Sequence, residues 1–269
     1  MSARIDRCFS GARSAGRKVL IPFITAGDPD PGQTVALMHA LVEAGADLVE
    51  LGVPFSDPMA DGPVIQASSE RAIEKGVRLS DVLQWVAEFR EQDPDTPVVL
   101  MGYMNPFERF GTEALAREAS RAGVDGLLMV DCPPEEMQDL QAALGGAGVA
   151  VIRLVAPTTT SARVSDIARG ASGFIYYVSF RGTTGASLLD TASLEAPLAQ
   201  LRSLTDLPLV VGFGIHDTDS ARAAARHADG IVIGSALVAR LAESDGGAAT
   251  LETAADFVGK VRDALDKSS

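Results

Sequence analysis

Residues 209–235 read LVVGFGIHDTDSARAAARHADGIVIGS and contain one complete strand–helix–strand unit. The β-branched runs at 209–211 and 231–233 each predict a short buried strand. Between them, residues 220–228 have an alanine-rich helical pattern. A strand, a helix and a second strand in this order are typical of a parallel sheet.

The same alternation of strand and helix runs through the rest of the chain. The predicted strands cover residues 19–24, 48–51, 98–101, 126–130, 149–154, 174–178, 209–211 and 231–233. The predicted helices cover residues 32–44, 64–75, 79–90, 112–122, 134–144, 161–169, 194–204, 220–228 and 251–265. Eight such units in 269 residues predict a single α/β domain over 1–269, a (β/α)8 TIM barrel with an extra N-terminal helix.

The competing architecture is a doubly wound open sheet, in which a glycine-rich GxGxxG turn commonly follows the first strand. Here the first strand runs instead into the sequence ITAGD at residues 24–28. Eight units in one domain also favour closure of the sheet, so the barrel is the predicted fold.

Composition and charge restrict the possible partners and the compartment. The net charge of −13 disfavours a nucleic acid or an anionic membrane as partner, and no stretch is apolar for long enough to predict a spanning helix. The first twenty residues lack the apolar run of a signal peptide. Cys8 and Cys132 are far apart in sequence, which favours a reduced, cytoplasmic location.

Three carboxylic acids lie in or just after the second predicted strand. Glu50 is in an apolar strand on the same face as Leu48, and in a barrel the carboxyl end of that face opens on the active site. Apolar surroundings favour the neutral carboxyl and raise its pKa towards the range useful for proton transfer. The alternative is a buried structural pair with Arg153. Asp57 and Asp61 follow in a proline-rich loop, where capping of the next helix is the alternative role.

The last two strands end in glycine-containing turns, Gly212–Gly214 and Gly234-Ser235. In many (β/α)8 enzymes this is where a phosphate is held by backbone amides and a short helix. The pair of turns predicts a phosphorylated substrate, with plain strand-to-loop turns as the alternative.

Several common catalytic groups are missing from the sequence. None of the four lysines stands at the carboxyl end of a predicted strand, where a Schiff-base lysine would be needed. The three histidines form no metal-binding pattern, and His39 is expected to be structural. The sequence therefore predicts carboxylate acid–base catalysis without a metal or covalent cofactor, on a substrate that supplies its own electron sink.

Five ordered motifs extend these observations over almost the whole chain. They are PFITAGDP at 22–29, ELGVPFSDPMADG at 50–62, MGYMNP at 101–106, DCPPE at 131–135, and the two glycine turns. In these motifs the sequence resembles the tryptophan synthase alpha chain family. The resemblance implies reversible retro-aldol cleavage of indole-3-glycerol phosphate to indole and glyceraldehyde 3-phosphate, in tryptophan biosynthesis.

The resemblance also implies a set of site residues. Glu50 would be the main acid and base, Asp61 would stabilise positive charge on the indole ring, and Tyr176 would stand beside the glutamate, with a core tyrosine as the alternative. The implied substrate-binding residues are Phe23, Met101, Tyr103, Thr184, Gly185, Phe213, Gly214, Gly234 and Ser235. Residues 179–186 correspond to the family's lid, in which Thr184 would meet Asp61.

The implied partner is a pyridoxal-phosphate beta chain in an alpha2beta2 heterotetramer, with that cofactor in the partner only. The interface is expected at Asp57, Pro58, Asn105 and Pro106. A free-standing indole-3-glycerol phosphate lyase is the main alternative. A non-catalytic activating subunit and a sugar-phosphate epimerase are more distant ones.

Overall fold

The computed structural model describes residues 2–178, 194–212 and 214–267. Its eight strands close into a parallel barrel in sequence order, with β8 paired to β1. The strands are β1 Val19–Thr25, β2 Val49–Gly52, β3 Val98–Gly102, β4 Gly126–Met129, β5 Ala150–Val155, β6 Ile175–Val178, β7 Leu209–Gly212 and β8 Gly230–Ile233. The (β/α)8 barrel prediction is confirmed, and each predicted strand overlaps an observed one.

Helices surround the barrel. They are α1 Ala3–Ser14, α2 Thr34–Glu43, α3 Pro63–Glu74, α4 Leu79–Arg90, α5 Met104–Phe110, α6 Thr112–Ala122, α7 Gln138–Gly146, α8 Ser161–Gly170, α9 Glu195–Arg202, α10 Thr218–Ala225, α11 Ser235–Ala242 and α12 Ala248–Asp266. Within the described ranges, no helix is both long and apolar enough to cross a membrane.

The core has two layers because side chains alternate along each strand. Leu48, Val99, Ile152 and Val210 point into the barrel and pack on one another. The intervening residues point outwards and pack against the helices. Glu50 follows Leu48 by two positions, so it lies on the inner face, as predicted.

Helix α1, the predicted extra helix, closes the amino-terminal end of the barrel. Its Ile5 and Phe9 are buried among the interior side chains, and the ring of Phe9 lies 5.6 Å from that of Phe174. The opposite end, where the strands terminate, is left for the site.

Three helical regions differ from the prediction. Residues 32–44 and 134–144 were each predicted as one helix, but a 3₁₀ turn at Pro31–Gln33 precedes α2 and another at Pro134–Glu136 precedes α7. Helix α5 was not predicted. It has seven residues, and Pro106 is tolerated only because it lies in the first turn, where the backbone N–H has no partner within the helix.

A repeated contact joins the strands in pairs at the amino-terminal end. A residue one to three positions before each even-numbered strand accepts a hydrogen bond through its side chain from a backbone N–H of the preceding odd-numbered strand, at 2.8–2.9 Å. The backbone N–H of the accepting residue in turn donates to the carbonyl of the strand residue that it binds, at 2.8–2.9 Å. The pairs are Asp47 with Leu20, Asp125 with Val98, Ser172 with Val151, and Asp229 with Leu209.

Candidate active site

A pocket of about 600 Å³, including its open mouth, lies at the carboxyl ends of the strands. It is lined by Phe23, Glu50, Asp61, Gly62, Ile65, Met101, Tyr176, Gly214, Ile215, Val232, Gly234 and Ser235. The structure thus brings together eight predicted site residues: Phe23, Glu50, Asp61, Met101, Tyr176, Gly214, Gly234 and Ser235. Tyr103 reaches the same place through a hydrogen bond to Asp61.

Glu50 is the most deeply buried acid of the pocket, with 1% of its surface exposed. Among the described residues neither of its carboxylate oxygens has a hydrogen-bond partner. Burial, and secondarily the negative charge of Asp61, raises the pKa of Glu50 to about 8. The group is therefore mostly protonated at neutral pH and can act as an acid.

Arg153 is not the partner of Glu50. It points out of the barrel from β5, where its guanidinium contacts the sulfur of Met137 and the side-chain oxygen of Gln141. The structural ion pair that the sequence left open is thus not formed. Glu50 remains available to a bound substrate.

Asp61 lies in the loop between β2 and α3 and faces Glu50 and Tyr176. Its Oδ2 accepts a hydrogen bond of 3.1 Å from the hydroxyl of Tyr103, which itself accepts one of 3.0 Å from the backbone N–H of Ala60. Burial raises the pKa of Asp61, and the bond from Tyr103 opposes that rise. Tyr103 therefore helps to keep Asp61 ionised in a partly buried position.

Neither loop acid caps α3, since that helix has no side-chain cap. Asp57 is exposed and instead accepts a hydrogen bond of 2.6 Å from the hydroxyl of Ser56. The capping alternative for both acids is wrong, because Gly62 occupies the N-cap position and the side chains of the two acids accept hydrogen bonds from Ser56 and Tyr103.

Tyr176 is 8% exposed and lies on the inner face of β6. Burial, followed by the charges of Glu50 and Asp61, raises the pKa of its hydroxyl well above the usual value, so it stays neutral. Its ring leans across the end of β7 at Gly212, where any Cβ would collide with the hydroxyl and ring atoms. The tyrosine is therefore a core residue that also lines the pocket.

Backbone groups form the other end of the pocket. Gly214 has a φ of 75°, a conformation that favours glycine, and α11 begins at Ser235 directly after Gly234. No arginine, lysine or histidine occurs among the described lining residues. An anion here would be held by backbone N–H groups and the start of α11, as the glycine turns predicted.

The predicted interface residues lie at the same end of the barrel. Asn105 is exposed and Pro106 half-buried on α5, while Asp57 and Pro58 lie in the loop that carries Asp61. The rings of Phe55 and Tyr103 lie 5.3 Å apart and join the two segments.

Four lining residues and one exposed residue were not predicted. Gly62, Ile65, Ile215 and Val232 line the pocket, and Met59 is 85% exposed at the loop tip. Val232 could have been found from strand alternation, since it faces inwards like Val210. Ile65 could not, because its place depends on how α3 packs against the barrel.

Some predicted residues lie outside the described ranges. These are Thr184, Gly185 and Phe213, together with the rest of the lid at 179–186. Within the described ranges, no three His, Cys, Asp or Glu side chains are grouped so that they could hold a metal ion.

Known proteins match the chain over nearly its whole length. The sequence profile of the family described as "Tryptophan synthase alpha chain" matches residues 9–266. The alpha chain of Thioalkalivibrio sulfidiphilus is 59% identical over 243 residues, which cover 90% of this chain and 91% of the relative. That of Laribacter hongkongensis is 55% identical, with 98% of this chain and 99% of the relative covered.

Solved structures agree with the sequence matches. Tryptophan synthase subunit alpha from Legionella pneumophila superposes with a TM-score of 0.91 at 41% identity, and 99% of each chain is covered. A chain of Mycobacterium tuberculosis tryptophan synthase gives 0.88 at 34% identity, covering 98% of this chain and 99% of that one. The chain belongs to the tryptophan synthase alpha chain family, whose reaction is the retro-aldol cleavage of indole-3-glycerol phosphate.

Proposed function

We propose that this chain carries out its family's reaction with Glu50 as the acid and base, in the pocket bounded by Asp61 and Tyr176. The observation that carries the proposal is the buried carboxyl group of Glu50, which has no hydrogen-bond partner among the described residues and whose pKa is raised to about 8. It lines the same pocket as Asp61 and the glycine turns.

The steps follow from the charges of the pocket. Protonated Glu50 donates its proton to C3 of the indole ring, which becomes positively charged. The ionised Asp61 accepts a hydrogen bond from the indole N–H and stabilises that charge. Glu50, now a carboxylate, takes the proton from the adjacent side-chain hydroxyl. The carbon–carbon bond breaks, its electron pair returns to the ring, and indole and glyceraldehyde 3-phosphate are formed.

The substrate's phosphate belongs at the glycine end of the pocket. Backbone N–H groups near Gly214 and the amino-terminal end of α11 supply donors, and the described lining residues include no cationic side chain. The overall charge of −13 repels an anionic substrate at long range, so these local donors must provide the attraction.

The direct test is release of indole from indole-3-glycerol phosphate by the purified chain, alone and with a tryptophan synthase beta chain added. Turnover in both arms supports the proposal. A chain that releases no indole in either arm would instead be a non-catalytic subunit.

Catalysis without a metal or covalent cofactor is part of the proposal. All four lysines lie away from the pocket lining, and Lys18 donates to the carbonyl of Ala228 at the amino-terminal end of the barrel. We therefore expect full activity after exhaustive chelation, and after borohydride treatment in the presence of substrate. Loss of activity after chelation would show that the reaction needs a metal ion. Loss of activity after borohydride treatment would show that an imine forms during the reaction.

A beta chain that holds pyridoxal phosphate is the proposed partner, in an alpha2beta2 complex. Met59, 85% exposed, lies close in sequence to Asp57 and Pro58, and the contact between Phe55 and Tyr103 joins this loop to the segment that carries exposed Asn105. The same loop carries Asp61, so a partner bound there can reposition a catalytic group. The pocket would hand indole directly to the partner. We also propose a cytoplasmic location, which accords with the free thiols of Cys8 and Cys132.

Addition of a beta chain is expected to raise indole release at least about tenfold, because docking on the loop that carries Asp61 can reposition this residue without contacting the substrate. Asp57→Ala should reduce this activation more than the rate of the isolated chain. Turnover at saturating substrate, measured against beta-chain concentration, gives both quantities.

Asp95→Ala is the matched control, since Asp95 is 85% exposed near the amino-terminal end of the barrel and should leave activation unchanged. Equal turnover with and without the beta chain would favour a free-standing lyase.

A further inference from the structure

Side chains on one face of α3 attach this helix to the segment that follows β1. The hydroxyls of Ser68 and Thr25 share a hydrogen bond of 2.6 Å. One turn further along the helix, the guanidinium of Arg71 donates two parallel hydrogen bonds of 2.7 and 2.8 Å to the carboxylate of Asp28. Lys75 ends the row with a bond to the carbonyl of Pro29.

The Asp28–Arg71 pair is the strongest of these contacts. The side chain of Asp28 is only 2% exposed and that of Arg71 35% exposed, so the pair is shielded from water on the aspartate side. A two-pronged guanidinium–carboxylate contact fixes direction as well as distance, which a lysine cannot do. Gly27 adds to the fit, because a Cβ there would come within 2.5 Å of Val77.

The other end of α3 holds the catalytic loop. The helix begins at Pro63, two residues after Asp61, and the side-chain amide of Gln66 donates 2.8 Å to the carbonyl of Asp61. Ile65, on the first turn, lines the pocket. Since a helix moves as one body, a tilt of α3 at Arg71 is transmitted to Asp61 and to the pocket wall.

We propose that Arg71 is a positioning residue for the cleavage reaction. By holding α3 against buried Asp28, it places Asp61 opposite the ring nitrogen of the substrate. The assignment rests on the proposed function, since it gives Asp61 its role there. The sequence around Asp61 does not predict this role of Arg71, because the role depends on the contact with Asp28, which is 43 positions away from Arg71.

Arg71→Lys tests the proposal, since it keeps the positive charge and removes the two-pronged contact. We expect kcat to fall about tenfold with KM changed less than about threefold, because misplacement of a catalytic group by a fraction of an ångström affects the transition state most. We also expect the acid limb of the kcat profile to move to higher pH. A displaced Asp61 loses the bond from Tyr103 that opposes the rise of its pKa, so protonation of Asp61 begins at higher pH.

Arg90→Lys is the matched control. Arg90 pairs with Asp125 at 2.7 Å, and Asp125 is likewise 2% exposed, but this pair lies at the amino-terminal end of the barrel. The substitution Arg90→Lys should lower the melting temperature while leaving kcat within about twofold of the wild type, since the pair lies at the end of the barrel opposite the pocket. Equal losses of kcat in the two variants, or an unchanged kcat and pH profile in Arg71→Lys, would overturn the positioning role.

Ser68→Ala decides the matter if Arg71→Lys does not fold. It removes only one hydroxyl from the same helix face, so the fold should persist. A fall in kcat of at least about threefold supports the proposal, and a smaller change contradicts it. A wild-type chain that releases no indole refutes the proposed function. If the wild type releases indole and the α3 variants keep the wild-type kcat and pH profile, only the role of Arg71 is refuted.

Discussion

Glu50→Gln is expected to lower indole release by at least about three orders of magnitude while substrate still binds. One proton transfer by a positioned group contributes about 10²–10⁴-fold, and Glu50 is assigned two transfers in each turnover. The amide has nearly the same shape, so the pocket lined by Phe23 and Tyr176 should survive. Single-turnover rates and the dissociation constant of the substrate separate chemistry from binding.

The pH dependence of the wild type checks the same assignment. The pKa of Glu50 is raised to about 8, and the first step needs the protonated form. The rate should therefore fall as the pH rises above about 8, because the acid form is lost, and this basic limb should be absent from Glu50→Gln.

Glu252→Gln is the control for Glu50→Gln, since Glu252 is an exposed residue on α12 and the same chemical change there should leave activity intact. A Glu50→Gln variant within about tenfold of the wild type would remove Glu50 from the acid and base roles.

Asp61→Asn is expected to lower turnover by about 10²–10³-fold, close to the loss from removing a transition-state hydrogen-bond group in other enzymes. The amide can still accept the hydrogen bond from Tyr103 and from the indole N–H. What it lacks is the negative charge that balances the cationic ring, so binding should change far less than kcat. Rates at saturating substrate and the binding constant of indole-3-glycerol phosphate measure the two effects.

The substitution Asp256→Asn serves as control, because Asp256 is an exposed residue of α12 and its replacement also removes one negative charge from the chain. If Asp61→Asn lowered affinity and left kcat unchanged, Asp61 would be a binding residue and would not stabilise the transition state.

The barrel and the centre of the site were predictable because they depend on local patterns. Short β-branched runs give the strands, and period-two alternation places Glu50 on the inner face beside Leu48. The glycine turns identified the end of the pocket where α11 begins, because glycine and a helix start are themselves local signals.

The remaining features depend on contacts between distant parts of the chain. The bond from Tyr103 to Asp61 spans 42 positions, and neither residue's neighbours indicate it. Met59 reads as an ordinary apolar loop residue, and only the fold shows that it is exposed. Thr184, Gly185 and Phe213 remain predictions, since they lie outside the described residues.

The paired contacts at the amino-terminal end divide the ring into four quarters of two strands each, so the internal repeat of this barrel is a strand pair. Within each quarter, the side chain of Asp47, Asp125, Ser172 or Asp229 joins the two strands. The pocket takes Glu50 and Asp61 from the first quarter, Tyr103 from the second, Tyr176 from the third and Ser235 from the fourth. No quarter carries a usable site alone. Turnover therefore requires the first and last quarters to lie side by side in the closed ring, because the two catalytic acids come from the first quarter and the anion-binding turn from the last.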